Sequence, residues 1–171
     1  MKLSKEQKIS ELGDTLERTR HFLELINDGK NIYTNSLSVE LRKLLCRGRG
    51  NAILRRIEKD FKIKIVFPVR NDKPYLPPTY RDGDIDEYLN EFRFRQDGED
   101  YNRRDVVEQF ADKKRAHLDE AEGKFHLSER QTVVHINDHS LSIGSKYLVD
   151  IAVTVLYVCG PVLADISNSG K

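Results

Sequence analysis

Hydrophobic residues recur every three or four positions along much of the chain, and this spacing predicts amphipathic helices. The first helix is predicted from Ser4 to Asn27, with an apolar stripe of Ile9, Leu12, Leu16, Leu23 and Ile26 and with Thr19 in its gap. Asp28-Gly29 ends this helix, because glycine readily takes the left-handed conformation that closes helices. Ser38 and Asn51 are expected to cap two further helices, which the glycines of "CRGRGN" separate.

Two more helices are predicted in the middle of the chain. One runs from Asp86 to Phe94, before the break at Asp97-Gly98. The other begins at Asn102, and Asp105 follows three residues later in a capping-box-like arrangement. The apolar face of this helix consists of Val106, Val107, Phe110 and Ala111. We expect it to continue to about residue 117.

The predicted β component is small. "KIKIVFPV" is rich in β-branched residues and stops at a proline, which predicts one short strand, and "RQTVVHIN" predicts a second strand before a turn at "NDHS". Four of the five prolines lie close together, at Pro68, Pro74, Pro77 and Pro78. Because proline fixes its own φ and restricts the residue before it, an irregular loop is expected around residues 68–83.

The segment from Ser145 to about Asp165 is the most hydrophobic part of the chain. A buried terminal helix, bent or ended near Pro161, is one interpretation, and a strand through "DIAVTVLYV" is the other, because β-branched residues favour strands. Only fourteen residues lie between Asp150 and Asp165, fewer than the roughly 20 that span a bilayer. Since Gly160-Pro161 also interrupts them, no membrane span is expected.

These elements predict a mainly α fold with a small β component, a single domain over residues 1–171. Its helical, bundle-like core is expected to come from the N-terminal helix, the 38–61 helices, the 102–117 helix and the apolar terminal segment. The proportions of charged (33%) and hydrophobic (38%) residues suit a folded, water-soluble protein.

Cysteine content and the first residues indicate a cytoplasmic protein. Cys46 and Cys159 lie far apart and outside any C-x-x-C pattern, which argues against a disulfide framework and a zinc site. The first residues contain no apolar stretch of the kind found in secretory signals. His135 and His139 have a metal-ligand spacing but lack the Glu of a zinc protease, so no metal and no cofactor are predicted.

Charge is distributed unevenly along the chain although the net charge is only +1. Residues 1–64 carry 15 basic and 9 acidic side chains, whereas residues 65–126 carry 11 and 15. The segment 42–64 predicts a surface that binds nucleic-acid phosphates by charge, through Arg42, Lys43, Arg47, Arg49, Arg55 and Arg56. The alternative is a solvated helix face that pairs with the acidic middle segment.

"DKKRAHLDE" contains the candidate catalytic group. His117 lies seven residues after Phe110, so a helix would place both on one face, and Asp119 could orient its imidazole. Arg104 or Lys113 would then stabilise phosphate charge. The alternative is a half-buried histidine at a helix end, where neighbouring cations favour the negative end of the helix dipole.

The run "RRDVVEQFADKKRAHLD", Arg103 to Asp119, resembles a signature in a family of uncharacterised, mostly helical bacterial proteins. In that signature an Arg, an Asp and an aliphatic pair precede Ala-Asn/Asp-Lys, Gly-Gly-Ala-His and a further Asp. Lys114-Arg115 replace the Gly-Gly here. The resemblance implies a mostly helical fold and no established activity. "RQTVVH", Arg130 to His135, has the Arg-to-His spacing of HEPN-like ribonucleases, but this spacing is expected about once by chance in such a sequence.

Two functions are therefore expected from the sequence. The first is a non-enzymatic cytoplasmic interaction protein, with nucleic acid or another protein as its partner. The second is a metal-independent, HEPN-like ribonuclease or other nucleic-acid enzyme that uses His117 as acid and base. The sequence leaves a homo-oligomer open.

Overall fold

The computed structural model describes residues 3–46, 52–71, 77–96, 98–111, 133–136 and 139–169. Within these ranges the chain is mainly helical with a small β component, as predicted. The helices are α1 (Lys5–Asn27), α2 (Thr34–Leu45), α3 (Ile53–Phe61), α4 (Ile85–Asn90), α5 (Arg103–Ala111) and α6 (Ile143–Ser169). The strands are β1 (Phe67–Arg70), β2 (Tyr80–Gly83), β3 (Phe92–Gln96), β4 (Glu99–Asn102), β5 (Val133–Ile136) and β6 (His139–Ser142).

Helix α1 has the bounds that its periodicity predicts. Ser4 caps it in a reciprocal capping box with Gln7, which satisfies two backbone amides that no helical carbonyl can reach. At the other end Gly29 has φ of 90°, the left-handed conformation expected of a helix terminus. Thr19 is fully buried and donates to the carbonyl of Thr15, so a polar residue fills the apolar stripe without an unpaired hydroxyl.

The predicted caps of α2 and α3 were wrong. Helix α2 begins four residues before Ser38, after a 3-10 turn at Asn31–Tyr33, and Tyr33 is its N-cap. Ser38 instead lies buried in the middle of α2. The N-cap of helix α3 is Ala52, which makes no side-chain cap hydrogen bond, and Asn51 lies outside the described residues. No side-chain cap marks the start of α2, and we attribute the position of this start to the packing of α2 against α1 and α5.

The six strands of the described ranges form three separate antiparallel hairpins, β1 with β2, β3 with β4 and β5 with β6. The strand predicted from "KIKIVFPV" is confirmed in its second half, and Pro68 lies inside β1 where it pairs with Asp82. In a two-stranded sheet each strand has an outer edge, so a proline is tolerated there. Both ends of the predicted proline-rich loop are thus strands. The second predicted strand corresponds to β5, but His139 of the predicted turn is the first residue of β6.

The helix predicted from Asp86 to Phe94 was wrong in its second half. Helix α4 begins after Asp84, which forms a capping box with Glu87, and it ends at Asn90. The residues that follow, "FRFRQ", alternate between apolar and polar positions and pair with β4. Gly98, with φ of 80°, lies in the turn between these two strands. The alternation was present in the sequence but overlapped the end of a helical pattern.

Helix α5 begins with the predicted capping box. The amide of Asn102 donates to Asp105 (2.9 Å), and the amide of Asp105 donates to the side chain of Asn102 (2.8 Å). Its predicted apolar face is buried. The predicted extension to residue 117 lies outside the described residues.

The apolar terminal segment, for which the sequence allowed a helix or a strand, forms helix α6. The segment is helical throughout, and neither Gly160 nor Pro161 ends it, contrary to the expectation from the proline. Leu148, Ile151, Val155 and Cys159 are buried on the face that packs against the rest of the molecule. A methyl group built on Gly13 of α1 would lie 3.7 Å from Leu163, so α1 and α6 are in close contact there.

Residues Lys146–Asn168 of α6 are long and apolar enough to cross a membrane, judged by length and composition alone. The expectations that the segment is too short and that Gly160-Pro161 interrupts it were therefore wrong. Of the most apolar 18-residue window, 28% is buried within the molecule. Core helices of soluble proteins meet the same criterion of length and composition, so this finding is weak evidence for a membrane span.

One cluster of buried hydrophobic residues contains side chains from each of the six described helices and from β1. The predicted contributions of α1, α2, α3, α5 and α6 are confirmed, and α4 with β1 add a stacked pair, Phe67 and Tyr88, whose ring centroids are 4.8 Å apart. Within this hydrophobic core the start of α1 lies next to the end of α3.

Candidate nucleic-acid interface

Three of the predicted phosphate-binding cations form ion pairs within the molecule. Lys43 pairs with Glu40 (2.9 Å), and Arg56 pairs with Glu11 of α1 (2.6 Å). Arg55 pairs with Glu58 (3.0 Å) and also with Asp86 of α4 (2.6 Å). Part of the alternative interpretation is therefore observed, because Arg55 connects the basic segment to the acidic middle of the chain.

For the other three predicted cations the structure shows no ion pair among the described residues. Arg42 is half-buried near the end of α2, and no ion pair joins it to any described residue. Arg47 and Arg49 lie outside the described residues. The prediction that these arginines bind phosphates stays a prediction.

Three lysines at the end of α3 lie on the surface. Lys59, Lys62 and Lys64 are exposed, and within the described part of the chain none of them forms an ion pair. Lys62 is the C-cap of α3 and has a left-handed φ of 53°. This conformation turns the chain at the end of the helix, so the three lysines follow one another around the turn.

Helix α1 brings a fourth lysine to this place. The ammonium of Lys5 lies 5.5 Å from the centre of the Phe61 ring, the last residue of α3. One turn further along α1, Lys8 forms an ion pair with Asp60. We refer to Lys5, Lys59, Lys62 and Lys64 as the lysine cluster.

The lysine cluster keeps its positive charge because the neighbouring carboxylates are paired with other groups. Asp60 is compensated by Lys8, and Glu58 accepts from Arg55 and from the amide of Ile65 (3.0 Å). Two apolar side chains, Ile63 and Val66, are partly exposed between and beside the lysines. The surface thus combines positive charge with a small apolar area.

The cluster was only partly visible in the sequence. Lys59, Lys62 and Lys64 belong to the basic segment, but the segment's arginines were predicted to be its binding groups. Lys5 could not be assigned to this site, because its proximity to Phe61 depends on the packing of α1 against α3. The amphipathic patterns indicate that the two helices pack, but they do not determine which ends meet.

Of the four predicted catalytic residues, Arg104 is the one that the described ranges include. His117, Asp119 and Lys113 lie outside the described residues. Arg104 donates to Asp86 at 3.4 Å, so it shares that carboxylate with Arg55. In the described ranges no group of three or more histidine, cysteine or acidic side chains could hold a metal ion.

Comparisons of the chain with protein-family models, with curated proteins and with solved structures gave no match in any of the three cases.

Proposed function

We propose that this protein is a non-enzymatic interaction protein that binds the phosphate backbone of nucleic acid through the lysine cluster. The observation that supports it most directly is the contrast between the two halves of the basic segment. Lys43, Arg55 and Arg56 are engaged with carboxylates of the protein itself. The three lysines after Glu58 are exposed on one turn of the chain.

Lysine ammonium groups contact phosphates as compact point charges. Such contacts position a protein on a nucleic acid without reading its bases. Phe61, the aromatic ring of this region, lies under Lys5. The chemistry of the cluster therefore favours binding by charge, with little dependence on base sequence and a strong dependence on salt.

The proposal is tested by the salt dependence of binding. The full-length chain is titrated into a short fluorescent DNA duplex at several sodium chloride concentrations, and binding is followed by anisotropy. Each phosphate contact that is lost lowers the slope of log K against log salt by about 0.9. We expect Lys62→Gln/Lys64→Gln to lower the slope by about 2 and to weaken binding equally for different sequences.

The matched control is Arg20→Gln/Lys30→Gln, which removes the same charge far from the cluster. Arg20 lies fifteen residues along α1 from Lys5, about 22 Å along the helix axis, and Lys30 lies beyond the end of that helix. This control should leave the slope nearly unchanged. Equal losses in both variants would mean that net charge alone matters, and an absence of binding at low salt would refute the proposal.

A further inference from the structure

A pocket lies beside α6, and none of the residues that line it belongs to the lysine cluster. It is lined by Tyr88, Arg93, Arg103, Tyr147, Asp150 and Thr154. Its cavity volume is about 40 Å³. This is below the roughly 300–1,000 Å³ of sites for drug-sized ligands, so the pocket suits a small chemical group.

Arg103 forms the inner wall of the pocket. Its guanidinium carbon lies 4.0 Å from the centre of the Tyr88 ring, and its Nη1 donates to the carbonyl of Tyr88 (2.9 Å). The same nitrogen lies 3.2 Å from Glu91. Within the described residues, Nε and Nη2 of Arg103 have no hydrogen bond, and neither is a fully buried atom without a partner. Two donors of a rigid guanidinium therefore remain for a ligand.

Arg93 of β3 lies next to Arg103 and is held in a similar way. Its Nη1 lies 3.3 Å from the same oxygen of Glu91, and its guanidinium carbon lies 5.4 Å from the centre of the Tyr147 ring. The second oxygen of Glu91 accepts from the amide of Arg70 (2.8 Å). Both oxygens of Glu91 are thus in use, and this carboxylate holds two arginines side by side before any ligand binds.

Asp150 of α6 completes the pocket. No ion pair joins it to another described residue, although Lys146, Arg93 and Arg103 are close enough to act on its charge. Asp150 is exposed at the edge of the pocket, and its partial removal from water raises its pKa, while these three cations oppose the rise without cancelling it. Thr154, one turn along α6, donates to the Asp150 carbonyl (3.0 Å) and hydrogen-bonds with Tyr88. Protonation of Asp150 would leave Arg93 and Arg103 with the single carboxylate of Glu91.

We propose that this pocket binds the carboxylate or phosphate end of a small ligand between the guanidinium groups of Arg93 and Arg103. The planar, two-pronged guanidinium matches the oxygens of both groups, and charge-assisted hydrogen bonds of this kind are about twice as strong as neutral ones. An entering anion repels an ionised Asp150, so binding is accompanied by proton uptake at that carboxyl. The protonated form can then donate to the ligand, and affinity increases as the pH falls.

The test is calorimetric titration of the full-length protein with inorganic phosphate and, separately, with acetate. Acetamide, which has the shape of acetate without its charge, is the ligand control. Arg93→Gln should weaken oxyanion binding at least tenfold. Arg95→Gln is the matched protein control, because Arg95 lies on the same strand but pairs with Asp100 outside the pocket (2.6 Å). It should bind as the unaltered protein does.

Asp150→Asn distinguishes ligand binding from a purely structural role of the network. It removes the like charge and keeps a donor, so acetate binding at neutral pH should become several-fold tighter and lose its dependence on pH. Binding of phosphate alone or of acetate alone would support the proposal and identify the ligand group. Binding that is equal for acetamide, or that Arg93→Gln leaves unchanged, would refute it, as would failure of both anions to bind.

Discussion

The hydroxyl of Ser38 lies in the core, where it donates to the carbonyl of Val107 at 2.5 Å and joins α2 to α5. From the sequence, serine before a run of leucines indicates an N-cap, because the same hydroxyl can accept from a helix amide. The preceding turn at Asn31–Tyr33 starts the helix earlier, so Ser38 is an interior residue. Burial then requires a partner for its hydroxyl, and the neighbouring helix provides one.

Ser38→Ala is expected to lower the free energy of unfolding by about 1 kcal/mol, because it removes a buried hydrogen bond between two helices. Urea denaturation monitored by circular dichroism would measure the change. Ser36→Ala in the same helix is the control, since Ser36 is partly exposed and no hydrogen bond of its side chain is found among the described residues. Equal effects of the two substitutions would show that the Ser38 hydroxyl contributes nothing to the packing of α2 on α5.

At the scale of elements, α6 shows how packing outweighs a local signal. Proline in a helix interior removes one hydrogen bond and costs about 3 kcal/mol, yet α6 continues to Ser169. Buried residues lie on both sides of Pro161, at Cys159 and Ile166. Pro161 itself is exposed, so the carbonyl that loses its helical partner is on the side that faces water. The burial of the flanking residues offsets the cost of the proline.

Two glycine substitutions should have opposite effects on stability. Gly160 lies in α6 with open space around the position of a Cβ, so Gly160→Ala is expected to raise the free energy of unfolding by about 0.5–1 kcal/mol through helix propensity. Gly83 is buried in β2, where a Cβ would overlap the side chain of Val69, so Gly83→Ala should lower the free energy of unfolding. The same urea titrations measure both, and a loss of stability in Gly160→Ala would contradict the exposed position of this glycine.

At the scale of the molecule, one core holds both cysteines. Cys46 follows α2 and Cys159 lies in α6, and both belong to the single hydrophobic cluster. Burial raises the pKa of each thiol to about 12, with Glu108 adding to the effect at Cys46. A thiol that stays protonated is a poor nucleophile, so neither cysteine of the folded protein is a candidate for chemistry at neutral pH.

The buried thiols should make the folded protein sensitive to alkali. Between the unfolded pKa of 9.0 and the folded value of about 12, the unfolded chain loses thiol protons that the folded chain retains. The free energy of unfolding must therefore decrease as pH rises through this window, by up to about 1.4 kcal/mol per pH unit for each thiol. Urea titrations just below pH 9 and at about pH 10 would measure the slope. In the variant Cys46→Ala/Cys159→Ala the free energy of unfolding should decrease less steeply with pH. Identical slopes for the variant and the unaltered protein would contradict the burial of the thiols.

Much of the fold was predictable because it depends on local patterns. The periodicity of α1, the capping box at Asn102 and the apolar content of α6 determine helices wherever they pack. The strand β3 was missed because "FRFRQ" directly follows a helical pattern, and only its pairing with β4 distinguishes the two. Strand pairing joins residues across a turn, so periodicity in one segment carries little information about it.

The candidate sites were less predictable than the fold. The lysine cluster requires Lys5 to meet Phe61, and the pocket requires β3, α5 and α6 to bring Arg93, Arg103 and Asp150 together. In the sequence Asp150 was only a charge at the edge of an apolar run, and Arg93 was assigned to a helix. No local pattern indicates which charges pair with each other and which remain for a ligand.

The sequence by itself determined which segments become helices and which faces they bury, because both follow from the spacing of apolar residues along one element. Only the tertiary structure decided that Arg55 pairs with Asp86, that Lys59, Lys62 and Lys64 remain exposed, and that two arginines share Glu91. The physical reason is the range of the interactions. Hydrophobic periodicity acts between neighbours a few residues apart, whereas ion pairs and pockets form between side chains that only the packing of distant elements brings together.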